Sequence, residues 1–290
     1  MTRRGVGVAA AALALLGAAS STAADRTLVA AHRGGAALWP ENSLLAFRNA
    51  LALGVDALEF DLHLTRDGEV VIIHDPTLDR TTTASGPVRD RTLAEIRSAR
   101  ITSRDGTITE ERVPTFAELL DLARSSSVEL IPEIKAGADG TPYRDIEEKV
   151  LALLRARGML GRATIQAFQS GTIRRLHALQ PGVRTMFLVS RRRLDGERAS
   201  PSDAVRWARD LGASDLGMEF RVIDAAVVTA VRAAGIRLSA WTVNDEPDIR
   251  RMIELRVDVI MSDRPDLVTS GVRGVRDIVP APPMMRRGSD

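Results

Sequence analysis

Short runs of apolar, often β-branched residues alternate along this chain with longer stretches whose apolar positions recur every three to four residues. The first pattern predicts buried strands and the second amphipathic helices. The strand-like runs are TLVAAH at 27–32, ALEFDLHLT at 57–65, VELIPEIK at 128–135 and ATIQAF at 163–168. They continue with VRTMFLV at 183–189, DLGMEF at 215–220, IRLSAWTV at 236–243 and VDVIMS at 257–262. Between them lie helical segments such as SLLAFRNALALG, YRDIEEKVLALLRARG, DAAVVTAVRAAG and EPDIRRMIEL. Eight strands separated by helices predict a closed parallel (β/α)8 TIM barrel, and 290 residues suffice for one.

One run breaks the alternation. EVVIIHD at 69–75 follows the second strand after only Arg66-Asp67-Gly68, and Asp-Gly is a strong hairpin signal. It predicts an antiparallel partner of strand two outside the count of eight, with a small insertion from about Pro76 to Pro114 near the catalytic face.

The N-terminus adds an address. Thr2-Arg3-Arg4 precedes the apolar GVGVAAAALALLGAA and the small residues before Asp25, which reads as a signal peptide over 1–24. The apolar run is shorter than the ~20 residues of a membrane span. The chain has no cysteine, which excludes a lipid-modified cysteine at the cleavage site. The expectation is export to a periplasm or the medium, without stable membrane insertion after processing. The barrel domain is then expected over 25–271, with a loose Pro-rich tail over 272–290. Hydrophobic residues are 44% of the chain but aromatics only 3%, so the core is aliphatic and a base-stacking platform for nucleic acid is not expected. The cations are nearly all arginine, with lysine only at Lys135 and Lys149; the formal net charge is +2 despite a pI near 9.6.

Candidate chemistry starts on strand two. Glu59 and Asp61 are two residues apart and share a strand face, amid apolar Ala57, Leu58, Phe60 and Leu62. Paired carboxylates on an inward face are costly unless a positive charge lies between them. Glu133 and Lys135 share a face near the end of the next barrel strand. Glu59, Asp61 and Glu133 can therefore converge on one hard divalent cation, Mg2+ or Ca2+. His32 ends the first strand before Arg33-Gly34-Gly35, and His74 ends the hairpin strand before Asp75. Two imidazoles beside a metal site can serve as acid and base, and Arg33 can bind phosphate oxygens bidentately. Lys135 offers a compact ammonium in an arginine-rich chain. His63 is read as a supporting residue and His177 as a packing or surface residue.

Taken in order, these residues resemble the glycerophosphodiester phosphodiesterase family. The resemblance rests on HRGG at 32–35, PENS at 40–43, ALEFDLHLTRDGEVVIIHD at 57–75, LDRTTTASGPVRDRTLAEI at 78–96 and VPTFAELL at 113–120. It continues through IPEIK at 131–135, AWTVN at 240–244 and DVIMSDRPD at 258–266, spanning about Thr27 to Leu267. It implies a (β/α)8 barrel with its site at the C-terminal ends of the strands, Glu59, Asp61 and Glu133 as metal ligands and His32 and His74 as the acid–base pair. Arg33 and Lys135 would be phosphate-site residues, Asn42 a helix cap or loop residue orienting His32, and Trp241 the wall of the glycerol end, core packing being the alternative for Trp241. The implied reaction is metal-dependent hydrolysis of a glycerophosphodiester to an alcohol and sn-glycerol 3-phosphate. Two departures, Ala167-Phe168-Gln169 and Arg256-Val257-Asp258-Val259, bear on substrate preference and are expected to lie away from the metal and imidazoles.

Competing readings remain. A related barrel phospholipase or lysophospholipase D would need an apolar rim, whereas the insertion is rich in Thr, Arg, Asp and Glu. A barrel amidohydrolase would carry His-x-His after strand one, which is missing here. An exported binding protein would not need both imidazoles and all three carboxylates.

Overall fold

The structure is a computed structural model and describes residues 26–278; the leader expected over 1–24 lies outside the described residues. The strands are β1 (Leu28–Ala31), β2 (Ala57–Leu64), β3 (Val70–Ile72), β4 (Glu129–Ile134), β5 (Ile165–Ala167), β6 (Thr185–Val189), β7 (Asp215–Glu219), β8 (Arg237–Trp241) and β9 (Val259–Ser262). Eight of them are parallel and close on themselves: β1 pairs with β9 on one side and β2 on the other, while β3 pairs antiparallel with β2. This is the TIM barrel, with the hairpin strand outside it. Parallel neighbours cannot be joined by a tight turn, so helices return the chain from each strand end to the next start.

The helices are α1 (Leu44–Leu53), α2 (Leu93–Ser98), α3 (Phe116–Leu122), α4 (Ile146–Ala156) and α5 (Ser170–Leu179). Next come α6 (Arg191–Glu197), α7 (Pro201–Asp210), α8 (Ala225–Ala233), α9 (Glu246–Glu254) and α10 (Pro265–Ile278). Local chemistry starts several of them. The Ser43 hydroxyl accepts from the Ala46 N–H to cap α1, and Thr92 with Glu95 and Thr115 with Glu118 form reciprocal capping boxes for α2 and α3. The last helix runs to Ile278, so regular structure passes the boundary expected at residue 271. Its Val268 is fully buried and Val272 nearly so, which ties the helix to the body of the domain.

Two apolar layers result from the alternation of strand side chains. Outward residues join the helices in one large core, while Ala30, Ala57, Ile131, Met186, Leu188, Val259 and Met261 fill the barrel interior. The interior is tight: a Cβ on Gly217 would lie 2.5 Å from Leu188 Cδ2 and 2.9 Å from Met186 Sδ. On β2, outward Phe60 packs edge-on against Phe47 and tilted against Phe116, with ring centroids 5.9 and 5.6 Å apart. Those contacts fix which face of β2 is outward, and so aim Glu59 and Asp61 into the barrel. Losing the Phe60 ring would cost about 3–5 kcal/mol.

The insertion after β3 has a small core of its own, built from Val71, Ile73, Leu78, Val88, Ile96, Ile101 and Val113. It stands beside the C-terminal ends of the strands and sends Arg80 to the barrel mouth.

Candidate active site at the barrel mouth

Strand register assembles the site. Asp61 on β2 lies beside Glu133 on β4, and Glu133 lies beside Gln166 on β5. Ala31 pairs with Leu58 on one side and with Ser262 on the other. The next residues along, His32, Glu59 and Asp263, therefore meet at one level. Glu59, Asp61 and Glu133 are 1%, 1% and 7% exposed, and each offers an oxygen within 4.8 Å of the others. Active sites of this fold sit at this end, where side chains from several strands converge.

The turn after β1 adds backbone donors. Arg33, Gly34 and Gly35 take φ values of 51°, 80° and 99°. A Cβ at Gly34 would press to 2.8 Å from Ala46 Cβ on α1, so only glycine lets the turn lie this close to the helix. Arg33 is not a glycine, and its left-handed backbone costs on the order of 1 kcal/mol. In return its N–H donates to Glu59 Oε2 at 2.9 Å. Asn42 staples the same turn, its N–H donating to the Arg33 carbonyl and its Nδ2 donating to Asp61 Oδ2 at 2.9 Å. Ser43 rather than Asn42 caps α1; Asn42 is a loop residue that braces the turn after His32 and holds Asp61.

Each imidazole is held by a carboxylate at Nδ1. His32 Nδ1 is 2.6 Å from Asp263 Oδ1, and Asn244 Nδ2 donates to the other Asp263 oxygen at 2.8 Å. His74 Nδ1 is 2.7 Å from Asp75 Oδ1, which Arg80 grips in turn. With Nδ1 engaged, Nε2 of each ring is left for the cavity that both residues line. His32 Nε2 is 3.9 Å from Glu59 Oε2. Arg80 also pairs with Glu41, which accepts from Arg33, so one guanidinium ties the insertion to the first turn.

Charge is unevenly shared here. Burial would push Asp61 up, but Lys135, Arg33 and His74 outweigh it and hold the carboxyl well below the usual carboxylate range. Lys135 Nζ lies 3.3 Å from Asp61 and 3.0 Å from Glu133. Burial pushes Glu59 up to about 7, opposed by His32 and reinforced by Asp61 and Glu133. Glu133 is also raised by burial, with Lys135 offsetting part of it. Burial lowers the His74 imidazole, whereas for His32 the Glu59 and Asp263 charges overcome burial and raise it. Gln166 Nε2 donates to Glu59 at 2.8 Å, yet its Oε1 is buried with no partner. A carboxyl raised that far and an orphaned amide oxygen on the same wall are what a hard divalent cation would relieve.

The cavity at this cluster, about 110 Å³, brings together all the expected site residues except Asp61, which sits just beneath it: His32, Arg33, Glu59, His74, Glu133, Lys135 and Trp241 line it. The Trp241 ring stands edge-on to Phe168 at 5.6 Å, and both face the cavity. Of the β5 departure, Phe168 lines the cavity, whereas Ala167 is packed in the outer core. The residues sequence reasoning assigned no role are Gln166, Phe168, Asp263, Asn244, Asp75, Glu41 and Arg80. His63 stays outside the cavity, its ring nitrogens on the Tyr143 hydroxyl and the His74 carbonyl, and burial pushes it down to about 4. His177 bonds Thr185 across the helix layer.

Residues 32–267 match the glycerophosphoryl diester phosphodiesterase family. The chain belongs to this family. It is thus a phosphoric diester hydrolase. The chain is similar to glycerophosphodiester phosphodiesterases of Caldanaerobacter subterraneus subsp. tengcongensis, 32% identical over 86% of this chain and 98% of the relative, and of Bacillus subtilis, 31% identical over 84% and 85%. Among solved structures it is similar to the glycerophosphodiester phosphodiesterase of Agrobacterium tumefaciens, with a TM-score of 0.69 and 27% identity over 84% of this chain and 99% of the other. It is also similar to an Oleispira antarctica phosphodiesterase solved with its product sn-glycerol-3-phosphate, with a TM-score of 0.69 and 25% identity over 86% and 97%.

Proposed function

We propose that this phosphodiesterase hydrolyses glycerophosphodiesters to an alcohol and sn-glycerol 3-phosphate, using one divalent cation and two histidines. The observation that carries the reading is the single cavity lined by buried carboxylates and two carboxylate-held imidazoles. The product in the Oleispira relative supports the glycerol phosphate half. Glu59, Asp61 and Glu133 would hold Mg2+ or Ca2+, which supplies Lewis-acid neutralisation of the phosphoryl charge.

The chain's own residues do the rest. Arg33 and Lys135 bind phosphoryl oxygens and stabilise the charge that builds in the transition state. One of His32 and His74 takes a proton at Nε2 from the attacking hydroxyl, water or the substrate's own glycerol hydroxyl, and the other gives a proton to the leaving alkoxide. Asp263 and Asp75 keep those rings in register, and Trp241 with Phe168 walls the glycerol end and excludes water.

A water-soluble substrate is favoured over a lipid by the polar rim, which carries Arg80, Thr81, Thr102, Ser103 and Arg104. Ile108 is the one exposed large hydrophobic among the described residues, so no apolar landing surface surrounds the mouth. No helix among them is long and apolar enough to cross a membrane. The leader over 1–24 supports a periplasmic or secreted enzyme; cell fractionation that finds the full-length, uncleaved chain in the cytoplasm would remove that part of the proposal.

The test is release of sn-glycerol 3-phosphate from glycerophosphoglycerol and glycerophosphoethanolamine by metal-stripped protein, with Mg2+, Ca2+ or nothing restored. Activity only with cation, and its loss in His32→Ala and His74→Ala, is the expected result. Full activity after chelation, or near-normal turnover in either variant, would sink the mechanism.

A further inference from the structure

The barrel mouth opens into a second, larger cavity of about 510 Å³ that the chemistry above leaves unused. It shares His32, Arg33 and Thr242 with the smaller cavity at the carboxylates. A phosphoryl group held at those shared residues would lie between the two cavities, with one to receive each substituent. The smaller, about 110 Å³, is lined by Phe168 and Trp241 and is the cavity assigned to the glycerol end. The larger is walled on its far side by the insertion, through Arg80, Thr81, Thr102, Ser103 and Arg104.

Resting on the proposed hydrolysis, we propose that this second cavity is the leaving-group subsite and that it selects a polyhydroxylated alcohol over a quaternary ammonium one. Recognition of a quaternary ammonium uses aromatic faces or uncompensated negative charge. The wall has no Phe, Tyr or Trp, and its two carboxylates are already engaged. Glu41 is paired with Arg33 and Arg80, and Asp263 is held between His32 and Asn244. The nearby Glu110 and Glu111 are taken by Arg100 and Arg48. Arg104 pairs with no carboxylate among the described residues, so the wall carries surplus positive charge. Hydroxyls of a polyol can both donate and accept, matching Thr81, Thr102 and Ser103, while the Arg104 guanidinium donates only.

Placement on the insertion separates selection from chemistry. The insertion's apolar core packs on Val71 of β3 and Ile73 just after it, and among its polar side chains Arg80 reaches the site, through Asp75 and Glu41. Thr81 lies next to that anchor, lines the cavity and is buried. A site built to bond hydroxyls rejects a substituent that cannot pair with it, because its own polar groups are then stranded.

The experiment compares kcat/KM for glycerophosphoglycerol and glycerophosphocholine in the cation-loaded enzyme, Arg104→Glu and Thr81→Val. Arg104 is exposed and Thr81→Val is isosteric, so both variants should melt with the parent. The wild type should favour the polyol by at least about tenfold, and Arg104→Glu should collapse that ratio by about the same factor. Thr81→Val should lower the polyol rate while sparing the choline rate. A wild-type ratio near or below one, or a ratio unmoved by Arg104→Glu, overturns the subsite. Release of sn-glycerol 3-phosphate from either diester reads the proposed function separately; its absence from both brings down that reading and the subsite with it.

Discussion

The barrel carries a cluster of charge at each end, and the two are built differently. At the N-terminal floor, Glu129 and Asp215 start β4 and β7, facing Arg237 at the start of β8 and Arg184 just before β6. The pairs span 3.5–3.8 Å, and Ser214 donates to Asp215 at 2.6 Å. Two carboxylates meet two guanidiniums, so the floor is neutral as it stands. At the mouth, three carboxylates share Lys135 and an Arg33 that also serves Glu41. The floor closes the barrel with opposite charges already matched, whereas the mouth holds more carboxylates than guanidinium and ammonium groups, a surplus that an added cation would balance. Charge balance, together with deeper burial at the mouth, sets the proposed catalytic cluster apart from the one at the floor.

The comparison is tested hardest by breaking each end in turn. Glu59→Gln removes part of the surplus, so kcat/KM should fall about 10³-fold, some 4 kcal/mol of transition-state stabilisation, while the melting temperature holds or rises. Steady-state assay with calorimetry checks both; turnover near the parent's would show that the surplus is not catalytic. At the floor, Asp215→Ala leaves two half-buried guanidiniums with Glu129 alone and should cost about 1–2 kcal/mol of stability, read by denaturant unfolding. Its activity per folded molecule should match the parent's, and a specific loss of activity would mean that the floor is coupled to the chemistry.

An effect smaller than the Glu59→Gln loss sharpens the contrast without any reaction. Mg2+ or Ca2+ at about a hundredfold over its dissociation constant should stabilise the parent by about 2.7 kcal/mol. Asp215→Ala should keep that shift and Glu59→Gln should lose most of it. Equal shifts in both variants would place the cation somewhere other than the mouth.

Much of this was legible before any coordinates. All eight barrel strands and the hairpin strand lie where hydrophobic alternation puts them, because a strand buried on both faces writes its limits into composition. Glu59 and Asp61 could be read as a pair because they share one strand, and their convergence with Glu133 needed only the parallel barrel. What escaped depends on register between distant segments. Asp263 meets His32 because Ser262 pairs with Ala31 across the seam that closes the barrel, and nothing local in Ser-Asp-Arg-Pro announces it. One rule would have found it: Asp263 follows the last barrel strand by one residue, as His32 follows the first. Arg80 was hidden by its place in an insertion without periodic pattern. Of the two roles the resemblance implied for Asn42, the cap fails because Ser43 takes it one residue later.

The finest test concerns Asp263, whose partner is an imidazole where Asp215 has guanidiniums. An imidazole can shed its charge, so removing its carboxylate strands no obligatory cation, and Asp263→Ala should leave stability near the parent's. The ring would lose the acceptor that fixes its tautomer and orientation, and kcat should fall about tenfold, roughly 1.4 kcal/mol, with KM little changed. Asp263→Asn keeps an acceptor oxygen at the same place and should recover most of that loss. A role in packing alone predicts the opposite pattern, with melting temperature falling in Asp263→Ala and kcat of the folded enzyme unmoved in both variants. Recovery in Asp263→Asn at unchanged melting temperature would mark Asp263 as the residue that positions His32, and would set it apart from Asp215 by what its partner can do with a proton.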